Sequence, residues 1–318
     1  MSSQVTLHPC RQRLRLVDDA TQDRLLAGYR GMLPRAHDPE RHLSAVVEDT
    51  LDHPGSLVRA QLAHATLREL GGRDDAAVAL AVAIEYFHAA SLLFDDMPAM
   101  DDAMERRGRA CPHLVHGEAA TTLAALGLIN QGYALAWRAI GILPDDEREH
   151  AAEFLTECLG LRGILDGQSW DVHFNEGPRT PERALRAAAG KTVPLIRLTL
   201  VLPALVGQAA AETIASLESL STAWGLAYQI LDDFKDRLVT DEEAGKSCGR
   251  DASLGRPNVA LTTGDASALE RLDDLLTEAT RQLAQLRGTA RGWDHLVLLH
   301  GILVAERENI AHRLDAVA

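Results

Sequence analysis

The chain has 318 residues, 46% of them hydrophobic, 25% charged and only 4% aromatic. Its formal net charge of −14 argues against a nucleic-acid-binding surface, which needs clustered Lys and Arg, and no nucleic-acid partner is expected. The length suffices for a large core, and without a Pro/Gly/Ser linker, low-complexity run or fixed-period repeat a single domain over 1–318 is expected, its first 16 residues forming a flexible segment.

Apolar residues recur with helical spacing along the chain, and β-branched runs bounded by turns are scarce, so the expected fold class is all-α. The spacing predicts helices over 18–32, 40–52, 56–70, 75–96, 118–141, 146–173, 191–205, 208–236, 264–287 and 291–315. Gly71-Gly72, Pro144, the Gly177 to Pro181 stretch, Gly207 and Gly245 punctuate them, and Thr192 with Pro194 just after it reads as a helix start. Ala76 to Phe94 is almost wholly apolar for 19 residues. Glu85 and His88 interrupt it, alanine dominates it and two aspartates follow it, so a buried central helix is expected rather than a membrane span. Helices 75–96, 118–141 and 208–236 are apolar on most faces and should form the interior of a bundle. Cys10, Cys111, Cys158 and Cys248 have no CxxC or metal-ligand spacing, and the first residues lack the apolar core of a secretory signal. Reduced thiols in a cytoplasmic protein are the expectation.

Two acidic clusters end two of the apolar helices. The first is Asp95-Asp96-Met97-Pro98-Ala99-Met100-Asp101-Asp102, the second Asp232-Asp233-Phe234-Lys235-Asp236. Asp232 and Asp236, four apart, share a helical face, and Gln229 lies one turn before them. Asp95 and Asp102 are seven apart and would be nearly aligned on a continuous helix, while Pro98 should distort it and let Asp101 swing in. Carboxylates on facing helices suit magnesium, a hard ion that keeps several waters and binds through one or two carboxylates plus phosphate oxygens. Basic residues accompany both clusters: Arg106, Arg107 and Arg109 after the first, Lys246 after the second and Lys191 at the opening of a separate helix. Guanidinium and ammonium groups are phosphate binders. The plainer reading makes Arg106 and Arg107 salt-bridge partners of Asp101 and Asp102.

The run HAASLLFDDMPAMDDAMERRGRACPHLVHGEAA resembles the first aspartate-rich motif of the trans-prenyl diphosphate synthases, in the form found in bacterial geranylgeranyl diphosphate synthases. AYQILDDFKD, with GKSCGRD after it, resembles the second, and Gly167-Gln168-Ser169-Trp170-Asp171 and Gly190-Lys191-Thr192 match the intervening motifs in order. The resemblance covers roughly residues 40–260. It implies a helical bundle of the isoprenoid synthase type around a central apolar cavity, magnesium dependence with three ions around bound diphosphate, and a homodimer. It implies magnesium ligands at Asp95, Asp101 and Asp232, with Asp96, Asp102, Asp233 and Asp236 completing the clusters. Arg106, Lys191 and Lys246 would contact the allylic prenyl diphosphate, and Thr192 and Gln229 would flank the forming carbocation. Arg59, His88 and Arg107 match positions that bind isopentenyl diphosphate, and Gln168 is counted with the substrate-binding residues.

One departure stands out. The family's Gly-Lys-Arg-x-Arg run is here Gly55-Ser56-Leu57-Val58-Arg59, so two cations are replaced by Ser56 and Leu57. Chain length in such enzymes depends on bulk below the first aspartates. Ala90, roughly 7.5 Å down the helix from Asp95, implies an open tunnel and a C20 product. Three functions remain open on the sequence: a geranylgeranyl-type synthase, a terpene synthase or cyclase on the same scaffold that no longer needs the acceptor site, and a non-catalytic partner subunit.

Overall fold

The computed structural model describes residues 14–238, 255–289 and 291–317. In chain order these form α1 (Asp19–Gly31), α2 (Arg41–Asp52), α3 (Val58–Glu69), α4 (Asp74–Asp95), a short hairpin of β1 (Glu105–Arg106) and β2 (Arg109–Ala110), and α5 (Pro112–His116). There follow α6 (Glu118–Ile140), α7 (Asp145–Leu159), α8 (Ile164–Val172), a 3-10 turn (Phe174–Glu176), α9 (Pro181–Val206), α10 (Ala211–Leu238), α11 (Val259–Thr263), α12 (Asp265–Arg287) and α13 (Asp294–Val317). The all-α expectation holds.

α4 is the axis of one half of the bundle and packs chiefly against α6 and α3, while α9 packs against α10, α8 and α3, and α10 in turn packs against α12. The composition of α4 explains its place. Ala76, Ala77, Ala79, Ala81, Ala83 and Ala90 are all buried, and small side chains let neighbouring helices approach closely. Gly132 on α6 lies under the Phe87 ring, which occupies the space a Cβ would need. α4 and α9 are both long and apolar enough to cross a membrane, and both are mostly buried inside the bundle as core helices.

Several boundaries differ from the sequence reading, each for a local reason. The expected 146–173 helix is two, α7 and α8, broken at Gly160–Gly163, where Gly163 takes a backbone conformation with φ −126° and ψ −123°. The expected helix over 191–205 starts ten residues earlier, at Pro181, with the Thr180 side chain accepting from Arg183 N. Lys191 and Thr192 therefore sit in mid-helix, and Pro194 is tolerated inside it. The last helix begins at Asp294 rather than 291. The hairpin, α5 and α11 were not anticipated. Arg107 and Gly108 both have positive φ, as a two-residue primed turn requires, so the hairpin projects Arg107 from its tip. The flexible segment expected over 1–16 lies mostly outside the described residues, but 14–16 are tied down. Leu16 N donates to Gln61 Oε1 (2.7 Å) and Gln61 Nε2 donates to the Leu14 carbonyl (3.0 Å).

Candidate active site

α4 ends at Asp95, with Asp96 as its C-cap, so the helical alignment expected between Asp95 and Asp102 does not exist. The chain after Met97 instead folds back on itself: Asp101 N donates to the Asp95 carbonyl (2.9 Å) and Asp102 N to the Met97 carbonyl (3.0 Å). Asp101 is thereby returned to Asp95, as Pro98 suggested. Asp102 takes a left-handed conformation (φ 46°) and is exposed. Asp96 is buried and clamped by Arg106, whose Nε and Nη2 reach both carboxylate oxygens at 2.6–2.8 Å. The salt-bridge partner of Arg106 is thus Asp96, neither Asp101 nor Asp102.

Two glycine contacts bring the remaining elements to this end of α4. A Cβ on Gly167 would collide with the Gly190 backbone, so α8 and α9 cross with their main chains touching. That crossing sets Gln168 and Asp171 of α8 beside Lys191 of α9. A Cβ on Gly225 would press on Val193, so α10 approaches α9 closely at the residue after Thr192. The side chains then pair across these contacts. Gln168 Nε2 donates to Asp95 Oδ1 (2.8 Å), Lys191 Nζ to Asp171 Oδ2 (3.1 Å), Thr192 Oγ1 to Gln229 Oε1 (2.9 Å) and Gln229 Nε2 to Asp233 Oδ1 (2.9 Å). Asp233 is buried and also accepts from Val259 N, so it anchors α11 to α10 rather than offering both oxygens to an ion. Asp232 is half-buried and Asp236 buried, a helical turn apart on α10. Lys246 lies outside the described residues.

Arg256 was not read from the sequence. Its side chain is only 8% exposed, its Nη2 donates to Asp101 Oδ1 (2.8 Å) and to the Met100 carbonyl, and its Nε lies 3.9 Å from Asp171 Oδ2. It closes a ring of charge: Asp95, Asp101 and Asp171 interleaved with Lys191 and Arg256. Nothing in the spacing of Gly255-Arg256-Pro257-Asn258 announces this, because tertiary folding alone brings residue 256 to residue 101.

The electrostatics follow from the crowding. Burial pushes the Asp95 carboxyl up to about 6, Asp101 and Asp171 pushing the same way, while Lys191 and Arg106 oppose it. Burial works against the charge on Lys191, yet Asp171, Asp95 and Asp101 outweigh it and raise its pKa. Among the described residues no three carboxylate, imidazole or thiol groups converge as a ready-made metal cage. A donor set of buried, mutually repelling carboxylates without such a cage fits magnesium, which takes few protein ligands and completes its shell with water and phosphate oxygens.

A pocket opens beside these residues, a cavity of about 100 Å³ lined by Glu85, His88, Asp96, Arg106, Arg107 and Arg109 among others. Arg59 Nη1 lies 3.1 Å from His88 Nε2. A guanidinium only donates, so this His88 nitrogen accepts and the ring is neutral. Burial, then Arg59, Arg107 and Arg106, hold the His88 pKa well below its usual value. Glu85 accepts from Ala60 N (3.1 Å) and so caps α3, whose own N-cap, Leu57, supplies no side-chain bond. Ala90, in contrast, is completely enclosed: no water-sized space adjoins it, so the tunnel expected there is closed at this residue.

An all-helical bundle with aspartate clusters beside buried Lys and Arg, and a cationic pocket next door, defines an enzyme class that handles prenyl diphosphates. The polyprenyl synthetase family profile matches residues 40–289. A geranylgeranyl diphosphate synthase of Pantoea ananas is 34% identical over 233 residues, covering 73% of this chain and 75% of that one. One from Pseudescherichia vulneris is 31% identical over 255 residues, covering 80% and 81%. Among solved structures, a geranyltransferase of Helicobacter pylori complexed with magnesium and isoprenyl diphosphate shares the fold with a TM-score of 0.75 at 23% identity, over 94% of this chain and 95% of that one. The chain belongs to the polyprenyl synthetase family. It is an enzyme of the trans-prenyl diphosphate synthase type, a prenyltransferase with polyprenyl diphosphate synthase activity.

Proposed function

We propose that the enzyme joins an allylic prenyl diphosphate to isopentenyl diphosphate and that its product is a C20 diphosphate. The observation that carries the reading is the charge cluster of Asp95, Asp101, Asp171, Lys191 and Arg256, with Thr192 next to Lys191 on α9 and bonded to Gln229, which gathers diphosphate-binding and cation-stabilising groups at one end of the core. The names of the two bacterial relatives support the chain length. Asp95, Asp101, Asp232 and Asp236 would hold magnesium, which supplies Lewis-acid stabilisation of the leaving diphosphate when bound. Lys191 adds a positive charge where the diphosphate departs, and being raised in pKa it keeps that charge at neutral pH. The Thr192 and Gln229 oxygens offer dipoles to the cationic fragment, and the apolar core below keeps water from it. Arg59, His88 and Arg107 form the wall that receives the acceptor.

The exposed apolar residues Leu123, Leu126 and Trp137 along α6 support a homodimer formed through that helix. Cys158, buried and without a disulfide among the described residues, agrees with a cytoplasmic setting.

The reading is tested with purified protein, magnesium, farnesyl diphosphate and labelled isopentenyl diphosphate. Label in a C20 diphosphate is the expected result. A hydrocarbon or alcohol formed without isopentenyl diphosphate would instead identify a terpene synthase, and a product that stops at C15 from shorter primers would overturn the chain length.

A further inference from the structure

The stretch 255–259 runs between the two aspartate clusters and is fastened at both ends. On the side of the second cluster, Asn258 is buried and donates from Nδ2 to the Asp233 carbonyl (3.1 Å), while its Oδ1 caps α11 by accepting from Leu261 N (2.9 Å). Val259 N donates to Asp233 Oδ2. On the side of the first cluster, Arg256 Nη2 donates to Asp101 Oδ1 (2.8 Å) and to the Met100 carbonyl (2.5 Å). Gly255 allows the close passage between them: it has φ 67°, and a Cβ there would crowd Asn175 and Arg179. The stretch is a strap from α10 to the loop after α4, and its one charged side chain is Arg256.

The way Arg256 holds its carboxylate differs from the other Arg–Asp pair in the site. Arg106 grips Asp96 with Nε and Nη2 together at 2.6–2.8 Å, the forked geometry of a lasting pair. Arg256 holds Asp101 through Nη2 alone. Its Nε is buried without a hydrogen-bond partner among the described residues and lies 3.9 Å from Asp171 Oδ2. The side chain is only 8% exposed, so this donor is shielded from bulk water as well. Asp95, Asp101 and Asp171 meanwhile lie close enough to repel one another. A single-nitrogen contact among crowded carboxylates is easily exchanged for a better cation.

We propose that Arg256 is a resident counter-ion of the first aspartate cluster, which holds Asp101 until a divalent ion displaces it, so that guanidinium and metal compete for one carboxylate. A divalent ion brings two charges where the guanidinium brings one. Without either, a buried carboxylate would be left uncompensated. Diphosphate oxygens favour the exchange, because they complete the shell of the ion and also accept from a released guanidinium. The enzyme then takes up metal weakly on its own and firmly with its diphosphate. The strap ties Arg256 to Asp233, so the exchange at the first cluster also bears on the second. The inference rests on the reading of Asp101 as a magnesium ligand, and it adds the step that governs when that ligand becomes available.

The test titrates the full chain with manganese, which accepts the same oxygen ligands as magnesium and whose free ion is counted by its paramagnetic resonance. With no diphosphate present, Arg256→Gln should bind manganese roughly tenfold tighter than wild type, the lower end of what a charge-assisted contact contributes. The gain should vanish in a chain that already carries Asp101→Asn. Arg307→Gln, which removes the same charge from a pair with Asp273, should change the affinity less than about twofold. A second readout is thermal. Arg256→Gln should melt below wild type without metal, and saturating manganese should close the gap, whereas an arginine with a purely structural role leaves it open. Unchanged or weaker manganese binding in Arg256→Gln, an equal gain in Arg307→Gln or on top of Asp101→Asn, or a melting gap that persists with metal overturns the proposal. If wild type takes up no manganese even with a non-ionisable allylic thiodiphosphate, the function proposed above falls as well, so the two failures are distinct.

Discussion

The two halves of the active site are built on opposite principles. Around Asp95, carboxylates and cations alternate, and nearly every polar group is held by another: Gln168 on Asp95, Arg256 on Asp101, Lys191 on Asp171. Around His88 the groups are sparser, Arg106 and Arg109 are paired with Asp96 and Asp49, and Leu57 packs into the core. The first half is preorganised to stabilise a departing diphosphate, because its dipoles and charges need little reorganisation when the bond breaks. The second half binds and orients. Substitutions in the two halves should therefore separate into effects on kcat and effects on KM.

The largest separation is expected at the aspartates. Asp95→Asn or Asp232→Asn should lower kcat about 10²- to 10³-fold at saturating substrates, the usual loss when a transition-state-stabilising group is removed. Steady-state assays with labelled acceptor measure this, and a near-normal kcat would erase the distinction between the halves. Arg107→Ala is the counterpart in the acceptor half. Loss of a charge-assisted contact of about 1.5–3 kcal/mol should raise KM for the acceptor roughly 10- to 150-fold. kcat should stay within about twofold. A fall in kcat comparable with that in Asp95→Asn would mean that Arg107 acts on the departing diphosphate.

Arg256→Ala probes the residue that the sequence concealed. It should lower kcat about tenfold and leave the acceptor KM unchanged, because it removes a cation from the carboxylate ring without touching the second pocket. The metal-free protein should also melt at a lower temperature, since removing one partner of a largely buried ion pair strands the other. An acceptor KM that rises while kcat holds would place Arg256 in the other half.

What the sequence revealed and what it hid have physical origins. Aspartate clusters following apolar helices are local signals, and so are the helix periods and the Gly-Lys-Thr run. The α9 start is legible in Thr180-Pro181, an N-cap followed by proline at the first helical position, but Thr192 with Pro194 offers a competing start signal further along the chain. Proline in mid-helix gives up the hydrogen bond to the Gly190 carbonyl, and α8 packs directly on that peptide. The alignment of Asp95 with Asp102 failed because the helix ends at Asp96. The pairing of Arg106 with Asp96 depends on the hairpin, and that of Arg256 with Asp101 on a contact across 155 residues. No periodicity encodes either. Leu57 was legible as a lost cation. That it became a core residue in a left-handed turn was not.

The smallest expected effect is also the most direct measure of the charge balance in the acceptor half. Glu85→Gln retains an oxygen that can accept from Ala60 N, so the cap on α3 survives, while the carboxyl that opposes Arg59 and Arg107 is removed. Acceptor affinity should improve by a few fold, on the order of a single modest charge contact. kcat should be unchanged, because nothing in the Asp95 network touches Glu85. The measurement is KM for the acceptor at fixed saturating allylic diphosphate. A weaker acceptor in Glu85→Gln would show that the carboxylate holds the two arginines in place more than it neutralises them, and the contrast between a preorganised half and a merely binding half would then have to be drawn less sharply.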